Sequence, residues 1–165
     1  MTTAIDSVTF SGSKAQRYIV LASEIAAVVD GEPDIVARMA SVAAMLAACF
    51  ETFSWTGFYV VDATRPSELV VGPYQGALGC LRIAIGRGVC GQAAAERKTL
   101  IVPDVQAFAG HIACDPRTRS EIVVPVFGPA GNLIAVCDVD SLTPAAFDEI
   151  DAKGLERILA ETFGA

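Results

Sequence analysis

The chain has 165 residues, 53% of them hydrophobic and 19% charged, which suits one domain with a sizeable core and excludes wholesale disorder. Nineteen Asp and Glu outweigh twelve Lys and Arg, and a net charge of −7 argues against nucleic acid or an anionic lipid surface as partner. No apolar run reaches the roughly 18 residues that span a bilayer, and the N-terminus MTTAIDSVTF lacks the basic start of a secretory signal. A soluble, cytoplasmic protein is expected.

A first helix is predicted from Lys14 to Val29, where Tyr18, Leu21, Ile25 and Val28 recur at three- and four-residue steps. Asp30-Gly31 ends it, and Pro33 suits the first turn of a second helix running to Glu51. Trp55 to Val61 is aromatic and β-branched and reads as a strand. A turn around Pro66 follows, then strands over Glu68 to Tyr74 and Leu81 to Ile85. Gly86-Arg87-Gly88 is a bend, Val89 to Arg97 a short Ala-rich helix, and Thr99 to Val102 a short strand. Pro103 to Arg119 is a long loop. Glu121 to Phe127 and Asn132 to Asp138 form a hairpin around Gly128–Gly131, and a last helix runs from Asp148, its cap, to Thr162, with Asp151 completing a capping box. Strand-to-strand neighbours dominate, which predicts an α+β domain with a mainly antiparallel sheet, helices packed on one face and a long loop. A single domain over 1–165 is expected, ordered from about residue 13 to 163, with 1–12 a flexible N-terminus.

Five cysteines are too few and too odd in number for a disulfide scaffold. Cys49 lies on the apolar stripe of the second helix and Cys137 inside a strand, both places for a small core residue. Cys80 stands at a strand edge, Cys90 at a helix start and Cys114 in the long loop. A helix N-terminus or a nearby cation favours the reactive thiolate, and Arg82, Arg87, His111 and Arg117 are close in sequence. One reading is redox chemistry, with one thiol attacking and another resolving the oxidised product. The rival joins the three cysteines with His111, the one histidine, as a Cys₃His zinc site, but Cys80 and Cys90 lack the close knuckle spacing of such sites. His111 pairs with Cys114 in the redox reading or simply bonds loop backbone.

Glu121, Asp138 and Asp140 gather at one end of the predicted hairpin. Asp138 and Asp140 share a face if their strand continues, and such a group binds an ammonium or keeps one carboxyl protonated as a general acid. Solvated strand-end acids are the plainer reading. Trp55 and Tyr59, four apart on a strand, point to one side and form either a pocket wall or core. The chain has no P-loop, no Gly-x-Ser-x-Gly and no Cys-x-x-Cys.

Six segments in order resemble the free methionine-(R)-sulfoxide reductases, which are built on a GAF domain. They are Ser54-Trp-Thr-Gly-Phe-Tyr59, Gly72-Pro-Tyr-Gln-Gly76, Cys80-Leu-Arg-Ile-Ala-Ile-Gly-Arg-Gly-Val-Cys-Gly91, Gly110-His-Ile-Ala-Cys-Asp115, Ser120-Glu-Ile-Val-Val-Pro125 and Asp138-Val-Asp-Ser141. The resemblance implies a GAF-like fold and reduction of free methionine-(R)-sulfoxide, with Cys114 as nucleophile. Cys80 is implied as the first choice of resolving residue and Cys90 as the second, or as a relay. It further implies that Trp55 cradles the substrate methyl, with Tyr59 beside it. Glu121 and Asp140 would hold and protonate the sulfoxide oxygen, and Asp138 would help hold the ammonium. The loop from Asp104 to Arg119 would close over a small amino acid, with Asp104 as a further carboxylate. No bound cofactor or metal is implied; thioredoxin, and ultimately NADPH, would recycle the disulfide, in a homodimer. Ala109 replaces a common acidic residue, Cys137 a usual aliphatic one, and the Gly128–Gly131 turn is slightly long. A GAF module that senses a small ligand or oxidant without turnover is the alternative.

Overall fold

The structure is a computed structural model and describes residues 12–164. The flexible N-terminus expected over 1–12 therefore lies, Gly12 apart, outside the described residues.

Local chemistry sets each helix. Helix α1 (Lys14–Val28) starts at a capping box in which the Ser13 hydroxyl accepts from the Gln16 N–H and the Gln16 side chain reaches back. Helix α2 (Ile35–Cys49) begins two residues later than Pro33 because the Asp34 carboxylate caps it, accepting from the Ala37 N–H at 2.9 Å. It stops at Cys49 rather than Glu51, since Phe50 turns extended and buries its ring. The final helix (Glu149–Phe163), called α4 because the short helix α3 (Gly88–Glu96) precedes it, carries the expected capping box of Asp148 and Asp151.

Six strands, β1 (Trp55–Val61), β2 (Glu68–Gly76), β3 (Arg82–Ala84), β4 (Leu100–Val102), β5 (Ser120–Phe127) and β6 (Leu133–Ser141), form one sheet in the order β3-β2-β1-β6-β5-β4. Every neighbouring pair is antiparallel. The sheet's period of two sorts residues by face. Phe58 of β1, Ile122, Val124 and Val126 of β5, and Ala135, Cys137 and Val139 of β6 pack against α1, α2 and α4. Trp55, Tyr59, Val123 and Val136 point the other way, towards α3 and the long loop. The three long helices thus share one face, and the site lies on the opposite one. Among the described residues no helix is long and apolar enough to cross a membrane.

A buried polar knot pins α1 to α4. The Tyr18 hydroxyl donates to Asp151 Oδ1 at 2.9 Å, and Lys14 Nζ reaches Asp151 Oδ2 at 2.7 Å and Asp148 Oδ2 at 2.9 Å. Asp151 is almost wholly buried, so its charge depends on these partners. The Tyr18 ring lies against Gly154, where an added Cβ would overlap ring carbons. Alanine there gains about 1 kcal/mol of helix propensity but overpacks a tight contact, at about 1–3 kcal/mol. Gly154→Ala should therefore lower stability by up to about 2 kcal/mol despite its better propensity. Urea unfolding measures it, and an unchanged or raised midpoint would show that Tyr18 can move aside.

Candidate active site

The site grows from the register of three central strands. In β1 against β6, Trp55 faces Asp140 and Gly57 faces Asp138; in β5 against β6, Glu121 faces Asp140 and Val123 faces Asp138. Because β6 continues to Ser141, Asp138 and Asp140 both lie inside it on the same face. The three acids therefore meet as neighbours in the sheet rather than at a solvated strand end.

Aromatic rings wall one side. Trp55 stacks on Tyr59 (5.6 Å between centroids) and on Tyr74 of β2 (5.1 Å), and its indole N–H donates to the Ala77 carbonyl at 3.0 Å. Gly57 makes room for Tyr74, since a Cβ there would overlap the Tyr74 backbone and Cβ. Gly79 is equally constrained: its Cβ would stand 3.0 Å from the Tyr59 hydroxyl and 3.1 Å from the Trp55 ring.

Helix α3 brings Cys90 to the floor, and the long loop brings His111 and Cys114 over the top. Together with Trp55, Glu121, Asp138 and Asp140 they line a cavity of about 40 Å³, room for a few waters. Cys114, exposed in the loop, is bonded through a disulfide to Cys80, which lies between β2 and β3; their Cα atoms are 5.5 Å apart. Cys90 is a free, buried thiol, its Sγ 3.9 Å from Glu121 Oε1. Cys49 and Cys137 are also free, and both lie in the core on the helical face.

Burial dominates the electrostatics. Glu121, Asp138 and Asp140 are each pushed well above the ordinary carboxylate range, first by burial and then by neighbouring carboxylate charge. Asp140 acts on Glu121, Glu121 on Asp138, and Asp138 on Asp140. The Cys90 thiol rises for the same reasons, which outweigh its place in the first turn of α3. Burial lowers His111, whose Nε2 stands 3.5 Å from Glu121 Oε2. A pocket whose buried carboxyls titrate above their ordinary range beside a disulfide is equipped to donate a proton and to pass electrons through sulfur.

Known proteins resemble this chain over most of its length. The GAF domain model matches residues 20–165. GAF domain-containing protein A of Dictyostelium discoideum is 49% identical over 148 residues, 90% of this chain and 91% of that relative. Free methionine-R-sulfoxide reductase of Saccharomyces cerevisiae is 39% identical over 133 residues, 78% of this chain and 74% of that relative. The chain belongs to the GAF-domain family of free methionine-R-sulfoxide reductases. The X-ray structure of the Neisseria meningitidis reductase of that name, in complex with its substrate, superposes with a TM-score of 0.87 at 47% identity, covering 92% of this chain and 89% of that one.

Of the residues singled out in the sequence of this family member, Trp55, Tyr59, Cys90, Cys114, Glu121, Asp138 and Asp140 line one cavity, and Cys80 is covalently attached to it. The Cys₃His zinc group does not assemble, because Cys80 and Cys114 are bonded to each other and His111 faces Glu121. Of the supposed thiol activators, Arg82 is held by Asp62 (2.6 Å) and Glu68 (2.9 Å), and Arg117 by Asp115 (2.8 Å). Arg87 alone of the three lines the cavity. Asp104 caps the 3₁₀ turn Val105–Ala107 by accepting from the Gln106 N–H at 3.0 Å and does not line the cavity. Tyr74 and Gly79 were not singled out from sequence, although the alternation Gly72, Tyr74, Gly76 placed Tyr74 on one side of β2.

The raised carboxyls carry a stability cost with a definite sign. The unfolded carboxyls ionise at ordinary values while the folded ones resist, so stability falls as pH rises from the ordinary carboxylate range through the raised folded values. Asp138→Asn removes one such group with little change of shape. It should stabilise the protein by about 1–2 kcal/mol at about pH 8 and by much less at about pH 4. Urea unfolding of both proteins at the two pH values measures this, and an equal effect at both would refute the account.

Proposed function

We propose that the protein reduces the R epimer of free methionine sulfoxide to methionine, with Cys114 as nucleophile and Cys80 as the resolving thiol. One observation carries the reading: a disulfide between an exposed loop cysteine and Cys80 borders a cavity lined by Trp55 and by buried carboxyls whose titration is raised.

The chemistry proceeds in three balanced steps. The Cys114 thiolate attacks the sulfoxide sulfur as a carboxyl protonates the oxygen; in the adduct the hydroxyl migrates to the Cys114 sulfur as its S–O bond to the substrate and the new S–S bond break, so methionine leaves and Cys114 becomes a sulfenic acid. The Cys80 thiol displaces the sulfenic oxygen, which leaves as water, and the disulfide forms. An external dithiol of the thioredoxin type, itself recharged from NADPH, attacks that disulfide, and the two cysteines return to thiols while the donor is oxidised. This cycle needs a reducing compartment such as the cytoplasm and no bound cofactor.

Glu121 and Asp140, face to face across β5 and β6, are placed to share the sulfoxide oxygen and its proton. Trp55, opposite Asp140, offers its indole to the methyl group, with Tyr59 stacked behind it. Asp138 accepts the ammonium. Arg87 and the free N–H groups at the start of α3 take the carboxylate, which adds a charge requirement that only a free amino acid meets. Cys90, buried beneath Glu121, serves as a relay or reserve thiol. A homodimer would cover Ile19, Val20, Val28, Ile35 and Val36, the exposed apolar residues of α1 and α2.

Racemic free methionine sulfoxide, incubated with the reduced protein and a thiol donor and followed by chiral chromatography, tests the reading. Loss of the R epimer alone is expected. Cys114→Ser should abolish even one turnover, whereas Cys80→Ser should release about one methionine per chain and stall, because sulfoxide reduction precedes disulfide formation. Glu121→Gln should lower kcat by about 10²–10⁴ if it supplies the proton. Consumption of neither epimer, or full turnover by Cys114→Ser, would overturn the assignment, the former in favour of a sensing GAF module.

A further inference from the structure

We propose that Cys90, Glu121 and Asp138 form a binding site for one divalent cation of the zinc class. The Cys90 sulfur and one oxygen from each carboxyl lie within 4.8 Å of one another, and all three side chains are buried. They stand on three separate rigid elements, α3, β5 and β6, so the grouping is built by the fold. Asp138 is 6% exposed, and its Oδ1 has no hydrogen-bond partner. Such an atom, in a residue lining the cavity, is an acceptor without a ligand.

The spacing suits the metal. Ligand distances of about 2.3 Å to sulfur and 2.0–2.2 Å to oxygen put neighbouring donors of a tetrahedral site about 3.5 Å apart. Cys90 Sγ and Glu121 Oε1 are 3.9 Å apart, so a small inward movement completes that edge. His111 Nε2 is 3.5 Å from Glu121 Oε2 but stands outside the three-donor group, so water completes the coordination. A sulfur with two carboxylates favours zinc or cobalt over magnesium or calcium. Binding displaces the thiol proton and whatever protons the carboxyls hold, so affinity rises with pH. On the reductase reading, the cation would also take the oxygens meant for the sulfoxide and compete with substrate; the binding itself does not depend on that reading.

Cobalt titration of the protein with the Cys80–Cys114 disulfide closed and no thiol added is the test. Disulfide sulfurs offer no thiolate, so one Co²⁺ per chain with a thiolate-to-cobalt band in the near ultraviolet, displaced by Zn²⁺, is expected. Cys90→Ala should abolish the band and weaken binding by more than the roughly 10–100-fold that loss of an outer-shell partner costs. Asp138→Asn should weaken binding while keeping the fold and the band at saturation. Cys49→Ala, on the opposite face of the sheet, should leave both unchanged. No uptake at several equivalents, a band that survives in Cys90→Ala, or affinity unmoved in Asp138→Asn would overturn the proposal. Because the readout is binding, an inactive protein that takes up cobalt would refute the reductase reading alone.

Discussion

Three carboxyl groups buried side by side on the central strands are the constraint around which the site is arranged. Removing one carboxylate from water costs several kcal/mol unless it is protonated or paired. Glu121, Asp138 and Asp140 have no lysine or arginine bonded to them; each instead has its titration raised by burial and by its neighbours. The fold tolerates this because the opposite face of the same strands carries a large apolar core against three helices. Burial and mutual repulsion thereby raise the titration of all three carboxyls, at the expense of local stability.

The same two-residue period divides the cysteines. Cys137 and Asp138 are adjacent in β6, yet one side chain enters the helical core and the other the cavity. Cys49, on the buried stripe of α2, has its thiol pushed up to about 11 by burial. These two thiols are separated from the reactive pair by the sheet itself. Cys90 shares the cavity with the carboxyls but not the accessibility of Cys114, and its raised thiol makes it a poor first nucleophile beside the loop cysteine.

Local signals made most elements legible before any coordinates. The cap at Asp148, the β-branched run from Trp55 and the Gly128–Gly131 hairpin all act within a few residues. The parts that sequence could not supply are long-range. Nothing near Trp55 announces that β1 pairs with β6, and that pairing sets Trp55 opposite Asp140. Arg82 sits two residues from Cys80 but is drawn away by Asp62 and Glu68 across the strand turn. Asp104 looked like a site acid and is spent on a local cap. His111 was three residues from Cys114 in a loop with no period to orient it, and it turns to Glu121 instead. Cys80, Cys90 and Cys114 were found because their motif contexts match a family, not because their spacing required them to meet.

The disulfide links segments 34 residues apart, fastening the loop that carries Cys114 to the connection between β2 and β3. With that bond closed the cavity holds about 40 Å³, far short of an amino acid. The oxidised form in the proposed cycle would therefore exclude substrate until the bond is reduced. In the proposed cycle, reduction of one bond does two things: it restores the nucleophile and frees the loop that roofs the pocket. In that cycle methionine would leave before Cys80 attacks the Cys114 sulfenic acid, and an external dithiol would act before the next turnover. The exposed position of Cys114 serves that last step, because thiol exchange needs an open path to one sulfur of the bond. On that reading, an exposed sulfur on a loop that covers buried carboxyls when tied down would reconcile two demands that a rigid pocket sets against each other.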